Sequence, residues 1–206
     1  MTVQLERIEW CEFRWDDADK TDMPRVLLIG DSITKGYRPH IAEEFKGIAS
    51  IDLMASSRGL DNPAFARELR YVTVESGYNY RVIQFNNGLH GFHSSAEAYE
   101  AGLDRVLTAL MKLREDGGAK IVLALSTPVT RKQEAGILHP ELNALVLERN
   151  EVMKRLAEKN ALPVNDLYEP MLGHPEYRLP DGFHYNDDGK KAQAAIVAAD
   201  LGKYLG

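Results

Sequence analysis

Cysteine is nearly missing from this chain of 206 residues: Cys11 is the only one, so no intrachain disulfide can form. A chain of this length can bury a core large enough to do without one. Positive charge is also in deficit. The 25 Lys and Arg residues are outnumbered by 31 Asp and Glu, for a formal net charge of -6. Nucleic acid calls for a basic face, and anionic membrane surfaces attract basic segments, so neither is an expected partner. No apolar run approaches the roughly eighteen residues that read as a membrane span. The opening MTVQLERIEWCEFRW lacks a basic segment followed by an apolar one, as a secretory signal would have. The protein is therefore expected in the cytoplasm. Three catalytic or nucleotide-binding signatures are missing too. There is no Gly-x-Ser-x-Gly elbow, no Gly-x-Gly-x-x-Gly after the first strand and no P-loop, and no cofactor is expected.

What is present is an alternation of short apolar runs and longer helical patterns. Arg25–Ile29, Ala49–Leu53, Tyr80–Phe85, Lys120–Leu125 and Pro163–Asp166 are rich in Val, Ile and Leu, as strands buried on both faces are. Between them, Asn62-Pro63 is a helix start, with Asn as cap and Pro at the first position. Ser94-Ser95-Ala96-Glu97 matches a capping box opening a helix that ends near Gly117-Gly118. Residues 140–160 carry Leu142, Leu145, Val146, Val152, Met153 and Leu156 at helical spacing. Asn186 or Asp187 caps the last helix. This βα alternation predicts an α/β fold with a parallel sheet between two layers of helices. Residues 1–23 stand apart as an arm whose Trp10, Phe13 and Trp15 pack onto the domain of residues 24–206. The arm's other readings are a substrate wall or a contact in a homo-oligomer.

Two local patterns carry chemistry. Gly30-Asp31-Ser32-Ile33-Thr34 follows the first strand directly. In an open parallel sheet, ligands bind beyond the carboxyl ends of the strands, so Ser32 stands on the active edge. The plain alternative is a turn and helix cap, and Asp31 suits that task. Far downstream, Asp181-Gly182-Phe183-His184 precedes the last helix. A serine hydroxyl needs a base, and the base needs a group that holds its tautomer. Asp181 and His184 lie three apart with Gly182 between, so one turn can bring both to the same edge. His90 and His93 are also three apart, and His40, His139 and His174 add further imidazoles. No Cys or carboxylate cluster completes a metal-ligand spacing around them, and they read as structural or surface residues.

Gly30–Thr34 resembles the first conserved block of the SGNH (GDSL-like) hydrolases, and Asp181–His184 resembles their last. The resemblance runs from about residue 24 to the C-terminus. It implies a flavodoxin-like three-layer α/β/α sandwich with five parallel strands in the order 2-1-3-4-5. It also implies a Ser32–His184–Asp181 triad and an oxyanion hole. In the family the hole draws on the nucleophile's own N–H, a glycine after strand two and an asparagine after strand three. Here Gly59 is the candidate glycine, with Ser57 or Arg58 as alternatives. Asn86 is the candidate asparagine and Asn87 the alternative, because the usual Gly-x-Asn-Asp is replaced by Phe85-Asn86-Asn87-Gly88. Ser126-Thr127-Pro128 is expected to shape the pocket wall. The expected reaction is hydrolysis of a small acyl ester, acetyl above all, on a small molecule such as a carbohydrate. The competing readings are an acyl thioesterase or lysophospholipase, and a catalytically silent sugar-binding module.

Overall fold

Residue by residue, the strand at the centre of the molecule sends its side chains alternately to two sides, and each side meets its own layer of helices. The structure, a computed structural model, describes residues 4–205 apart from the side chain of Asp116. Strand β1 (Cys11–Arg14) is followed by β2 (Arg25–Gly30), helix α1 (Ser32–Glu44) and β3 (Ser50–Ser56). Helix α2 (Pro63–Arg70), β4 (Val82–Phe85), α3 (Ala96–Gly117) and β5 (Lys120–Ala124) come next. A hairpin of β6 (Thr130–Arg131) and β7 (Glu134–Leu138) precedes α4 (Pro140–Lys159), β8 (Val164–Asn165) and α5 (Asp187–Leu201). On β2, Val26 and Leu28 join a buried cluster with Ile33 and Ile41 of α1 and Val197 of α5. Leu27 and Ile29 face the other way, onto Leu69 of α2, Leu103 of α3 and Met153 of α4. This period of two makes the three-layer α/β/α sandwich.

The sheet order is β1-β3-β2-β4-β5-β8. Strands β3, β2, β4, β5 and β8 are parallel, in the order expected for the five. The sixth strand was not expected. β1 pairs antiparallel with β3, from Cys11 opposite Ser56 to Arg14 opposite Leu53. It is drawn from the aromatic arm, whose Phe13 and Trp15 stack on each other and meet Tyr71 edge-on. Arg25 and Asp52 form an almost fully buried ion pair at 2.9 Å near the start of the sheet. Arg25 also donates to the backbone carbonyl of Asp16, which ties the arm down.

Three local features differ from the sequence expectation. The helix begun at Asn62 stops being α-helical at Arg70 and continues as a π turn, Tyr71–Glu75. The cap of α3 is Ser95, accepting from the N–H of Ala98, one residue later than the capping-box pattern indicates. The β6–β7 hairpin occupies a stretch with no strand signal. Of the two cap candidates for α5 it is Asn186 that caps, accepting from the N–H of Gly189, and Asp187 is the first residue of the helix.

Candidate active site

The register of the central strands brings three loops to one edge. Gly30 of β2 lies opposite Ala55 of β3, and Ile29 of β2 opposite Phe85 of β4. The segments that follow these positions therefore emerge side by side. α1 starts at once after β2 because Asp31 caps it, its Oδ1 accepting from the N–H of Ile33 at 2.8 Å. Asp31 holds the turn. Ser32 is then the first residue of the helix, and its N–H has no intrahelical acceptor.

Opposite Ser32 stands the loop before α5. His184 Nε2 and Ser32 Oγ are 2.8 Å apart, across 152 positions of sequence. His184 Nδ1 is 2.8 Å from Asp181 Oδ2. The other carboxylate oxygen of Asp181 accepts the backbone N–H groups of Phe183 and His184, both at 2.8 Å. Partial burial works to raise the Asp181 pKa. Those two backbone donors and the His184 ring outweigh it, and the carboxyl sits below the usual range. The carboxylate thus fixes the proton on Nδ1 and leaves the Nε2 lone pair to accept from the Ser32 hydroxyl. The turn that makes this possible needs Gly182. Its φ is +85°, and a Cβ there would stand 2.3 Å from the carbonyl oxygen of Thr130. Thr130 in turn donates its N–H to the Gly182 carbonyl at 2.9 Å, so the β6–β7 hairpin braces the loop.

The loop after β3 carries the candidate glycine. The N–H of Ser57 is spent on the Trp10 carbonyl and that of Arg58 on Ser56 Oγ. Gly59 follows them, packed so closely against Gly91 that a Cβ on either would lie 2.9 Å from the other's Cα. The loop after β4 carries both asparagines, which point to different layers. Asn86 borders a small internal cavity together with Ile33 and Thr34, on the α1 side of the sheet. Its amide nitrogen donates to the carbonyl of Ala124 at 2.7 Å and to Ser126 Oγ at 3.0 Å. Asn87 donates to the carbonyl of Arg58 at 2.9 Å. Ser126, expected on the pocket wall, is buried beneath Asn86 instead and is held at its own backbone by Asn150.

Ser32 and His184 open into a cleft of about 510 Å³, walled by Leu89, His90, Phe92, His93 and Phe183. Its remaining wall, Gln4 to Arg7, comes from the arm. A larger cavity of about 710 Å³ lies between α2 and α3 and touches none of these residues. Among the described residues, no group of three or more His, Cys, Asp or Glu is placed to hold a metal ion. The histidines pair off separately: His40 with Asp187, His90 with Glu6, His93 with Asp61 and His174 with Glu176, while His139 caps α4.

Residues 28–192 match the model of the GDSL-like lipase/acylhydrolase family. The chain belongs to this family. Among solved structures, this GDSL-like protein is similar to an acetyl xylan esterase, AlAXEase, with 20% identity and a TM-score of 0.67, over 86% of this chain and 99% of the other. It is also similar to Est24, a carbohydrate acetylesterase from Sinorhizobium meliloti, with 14% identity and a TM-score of 0.69, over 87% and 99% of the two chains. A GDSL-like lipase from Bacteroides thetaiotaomicron matches with 16% identity and a TM-score of 0.66, over 87% and 88%. No curated protein matches the chain. These likenesses carry the fold. No helix among the described residues of this GDSL-like protein is long and apolar enough to cross a membrane.

The sequence of this family member gave no sign of Glu6 or Arg149 at the site, nor of what the Arg58 side chain does. Arg58 links two carboxylates, Glu9 of the arm and Glu68 of α2. Arg149 of α4 is buried and donates to the carbonyls of Gly88, His90 and Gly91. Nothing in their local sequence marks them, because each acts through a contact far along the chain.

Proposed function

We propose that this GDSL-like hydrolase is a serine esterase that removes small acyl groups, acetyl foremost, from a hydroxylated small molecule such as a carbohydrate. The observation that carries the reading is the unbroken line of two 2.8 Å hydrogen bonds from Ser32 through His184 to Asp181 at the mouth of a cleft. Two of the similar structures are esterases that act on acetylated carbohydrates, which supports the acetyl preference.

Ser32 Oγ attacks the ester carbonyl carbon while His184 Nε2 takes the hydroxyl proton. Asp181 keeps Nδ1 protonated and stabilises the imidazolium that forms. The carbonyl oxygen becomes an oxyanion, met by the N–H groups of Ser32 and Gly59 and by a side-chain amide. Asn86 is the candidate for that amide; its nitrogen is engaged by the Ala124 carbonyl and Ser126 Oγ, so donating to the oxyanion costs it one of those bonds. Asn87 is the alternative, with one amide hydrogen beyond its bond to Arg58. Collapse of the tetrahedral intermediate breaks the bond to the alcohol oxygen, which leaves with the proton from His184. Water, deprotonated by His184, then attacks the acyl-Ser32 carbonyl. The acid departs and the serine regains its proton.

Hydrolysis of p-nitrophenyl acetate, butyrate and octanoate by the wild type and Ser32→Ala tests this. Turnover fastest on acetate is expected, with a loss of at least about 10³-fold in kcat on removing Ser32. Comparable turnover by Ser32→Ala refutes the triad. Ser32-dependent turnover fastest on octanoate refutes the small-acyl preference alone.

A further inference from the structure

The triad accounts for one imidazole in the cleft. A second, His90, stands on the same wall and has no part in proton transfer as described. Its surroundings are built to fix it. Nδ1 of His90 lies 2.9 Å from Glu6 Oε2, and the other oxygen of Glu6 accepts the N–H of Gly91 at 2.9 Å. One carboxylate thus grips both the ring and the backbone beside it. From beneath, the buried guanidinium of Arg149 donates to the carbonyls of Gly88, His90 and Gly91 at 3.2, 2.6 and 2.5 Å. It is sandwiched against the rings of Phe92 and Tyr99. The Tyr99 hydroxyl donates to the Asn87 carbonyl at 2.6 Å. A loop whose carbonyls are pinned this thoroughly presents its side chains in fixed positions.

The arm that brings Glu6 is itself anchored. Glu9 bonds Arg58 and Asn62, the backbone of Trp10 exchanges hydrogen bonds with Ser57, and β1 follows. Glu6 and His90 are 84 positions apart in sequence, so their pairing is a product of the fold.

We propose that His90, oriented by Glu6, reads the alcohol half of the ester by accepting a hydrogen bond at Nε2 from a hydroxyl near the ester oxygen. A carboxylate at Nδ1 holds the proton there, and the neutral ring then offers Nε2 as an acceptor. His90 shares its cleft with Ser32 and His184, so a group bonded to it lies in the same cleft as the acyl carbon under attack. The preferred substrate class is an acyl ester of a polyol in which a neighbouring hydroxyl remains free. Arg149 and Glu6 are positioning residues in this scheme. The inference rests on the esterase reading above.

The test compares glycerol monoacetate, which carries free hydroxyls, with p-nitrophenyl acetate, which has none. In His90→Phe, the ratio of kcat/KM for glycerol monoacetate to that for p-nitrophenyl acetate is expected to fall about three- to ten-fold, the worth of one hydrogen bond, mainly through KM. Glu6→Gln lowers it less. His90→Gln, whose carbonyl oxygen can accept from a hydroxyl, restores part of it. An unchanged ratio in His90→Phe, with Ser32→Ala inactive on both esters, overturns the role of His90 and leaves the esterase reading standing. Ser32→Ala retaining activity overturns that reading instead. The contact is also tested without turnover, by following the His90 ring-proton NMR signal in Ser32→Ala titrated with glycerol. A saturating shift is expected, and a signal that does not move overturns the contact.

Discussion

Replacing Gly182 by alanine adds one methyl group to the turn between Asp181 and His184. Its cost has two parts. An L-residue held at a φ of +85° pays about 1–2 kcal/mol for the left-handed backbone. The new Cβ would also stand 2.3 Å from the Thr130 carbonyl oxygen, whereas an ordinary contact is about 3.3 Å, so one of the two must retreat by about 1 Å. Two hydrogen bonds resist that movement, from Thr130 N–H to the Gly182 carbonyl at 2.9 Å and from Gln133 N–H to the Pro180 carbonyl at 2.7 Å. Weakening them adds about 1–2 kcal/mol. The expected loss of unfolding free energy is therefore about 2–4 kcal/mol, read by urea denaturation. If the loop yields, His184 moves relative to Ser32, and a displacement of about 1 Å lowers the rate about 10²-fold. Hydrolysis of p-nitrophenyl acetate reads that loss. Gly173 is the control, with a φ of +72° and nothing within 4 Å of an added Cβ. Gly173→Ala is expected to lose stability and keep its rate. Gly182→Ala with wild-type stability and a rate within about twofold would refute the idea that the hairpin and this glycine set the position of the base.

Further variants probe the two ends of the sheet. Asn86→Ala is expected to lower kcat about 10²–10³-fold, as loss of an oxyanion donor does, while Asn87→Ala lowers it less than about ten-fold. The reverse order would give the role to Asn87. At the opposite end of the sheet, Arg25→Met strands the buried Asp52 carboxylate and is expected to cost about 3–5 kcal/mol in urea denaturation. The double variant Arg25→Met/Asp52→Leu recovers most of it. A single variant that costs under about 1 kcal/mol would show that the Asp52 carboxylate is not stranded by the loss of Arg25.

The fold was legible wherever neighbours in sequence are enough to make an element. Four of the parallel strands announce themselves as apolar runs and the fifth only as the short Pro163–Asp166, while the cap of α2 shows as Asn62 before Pro63 and that of α5 as Asn186 or Asp187. β1 did not, because the alternation in CEFR lasts only four residues and has no apolar run beside it, and it becomes a strand only by pairing with β3. The hairpin of β6 and β7 is likewise settled from outside: it is held to the Asp181–His184 loop through Thr130 and Gln133. At the site, Ser32, Asp181 and His184 stood out because their chemistry is concentrated in two short motifs. Glu6 and Arg149 gave no such sign. A glutamate in an arm and an arginine on a helix look like solvated charges until the fold sets them against His90 and its neighbours.

The site also has a geography along the chain. Its wall at Glu6 and its proposed nucleophile at Ser32 precede its proposed base at His184, which lies 152 positions beyond the serine. A ribosome releases these parts in order, so a nascent chain carries an unassisted serine until the segment around His184 has emerged. Ser32 and His184 meet only where the loop ahead of α5 lies against the start of α1. Division of the polypeptide after α3, at the exposed turn by Gly118, would put serine and histidine on separate pieces. Neither piece could hydrolyse an ester by this route alone, and turnover would report their reunion.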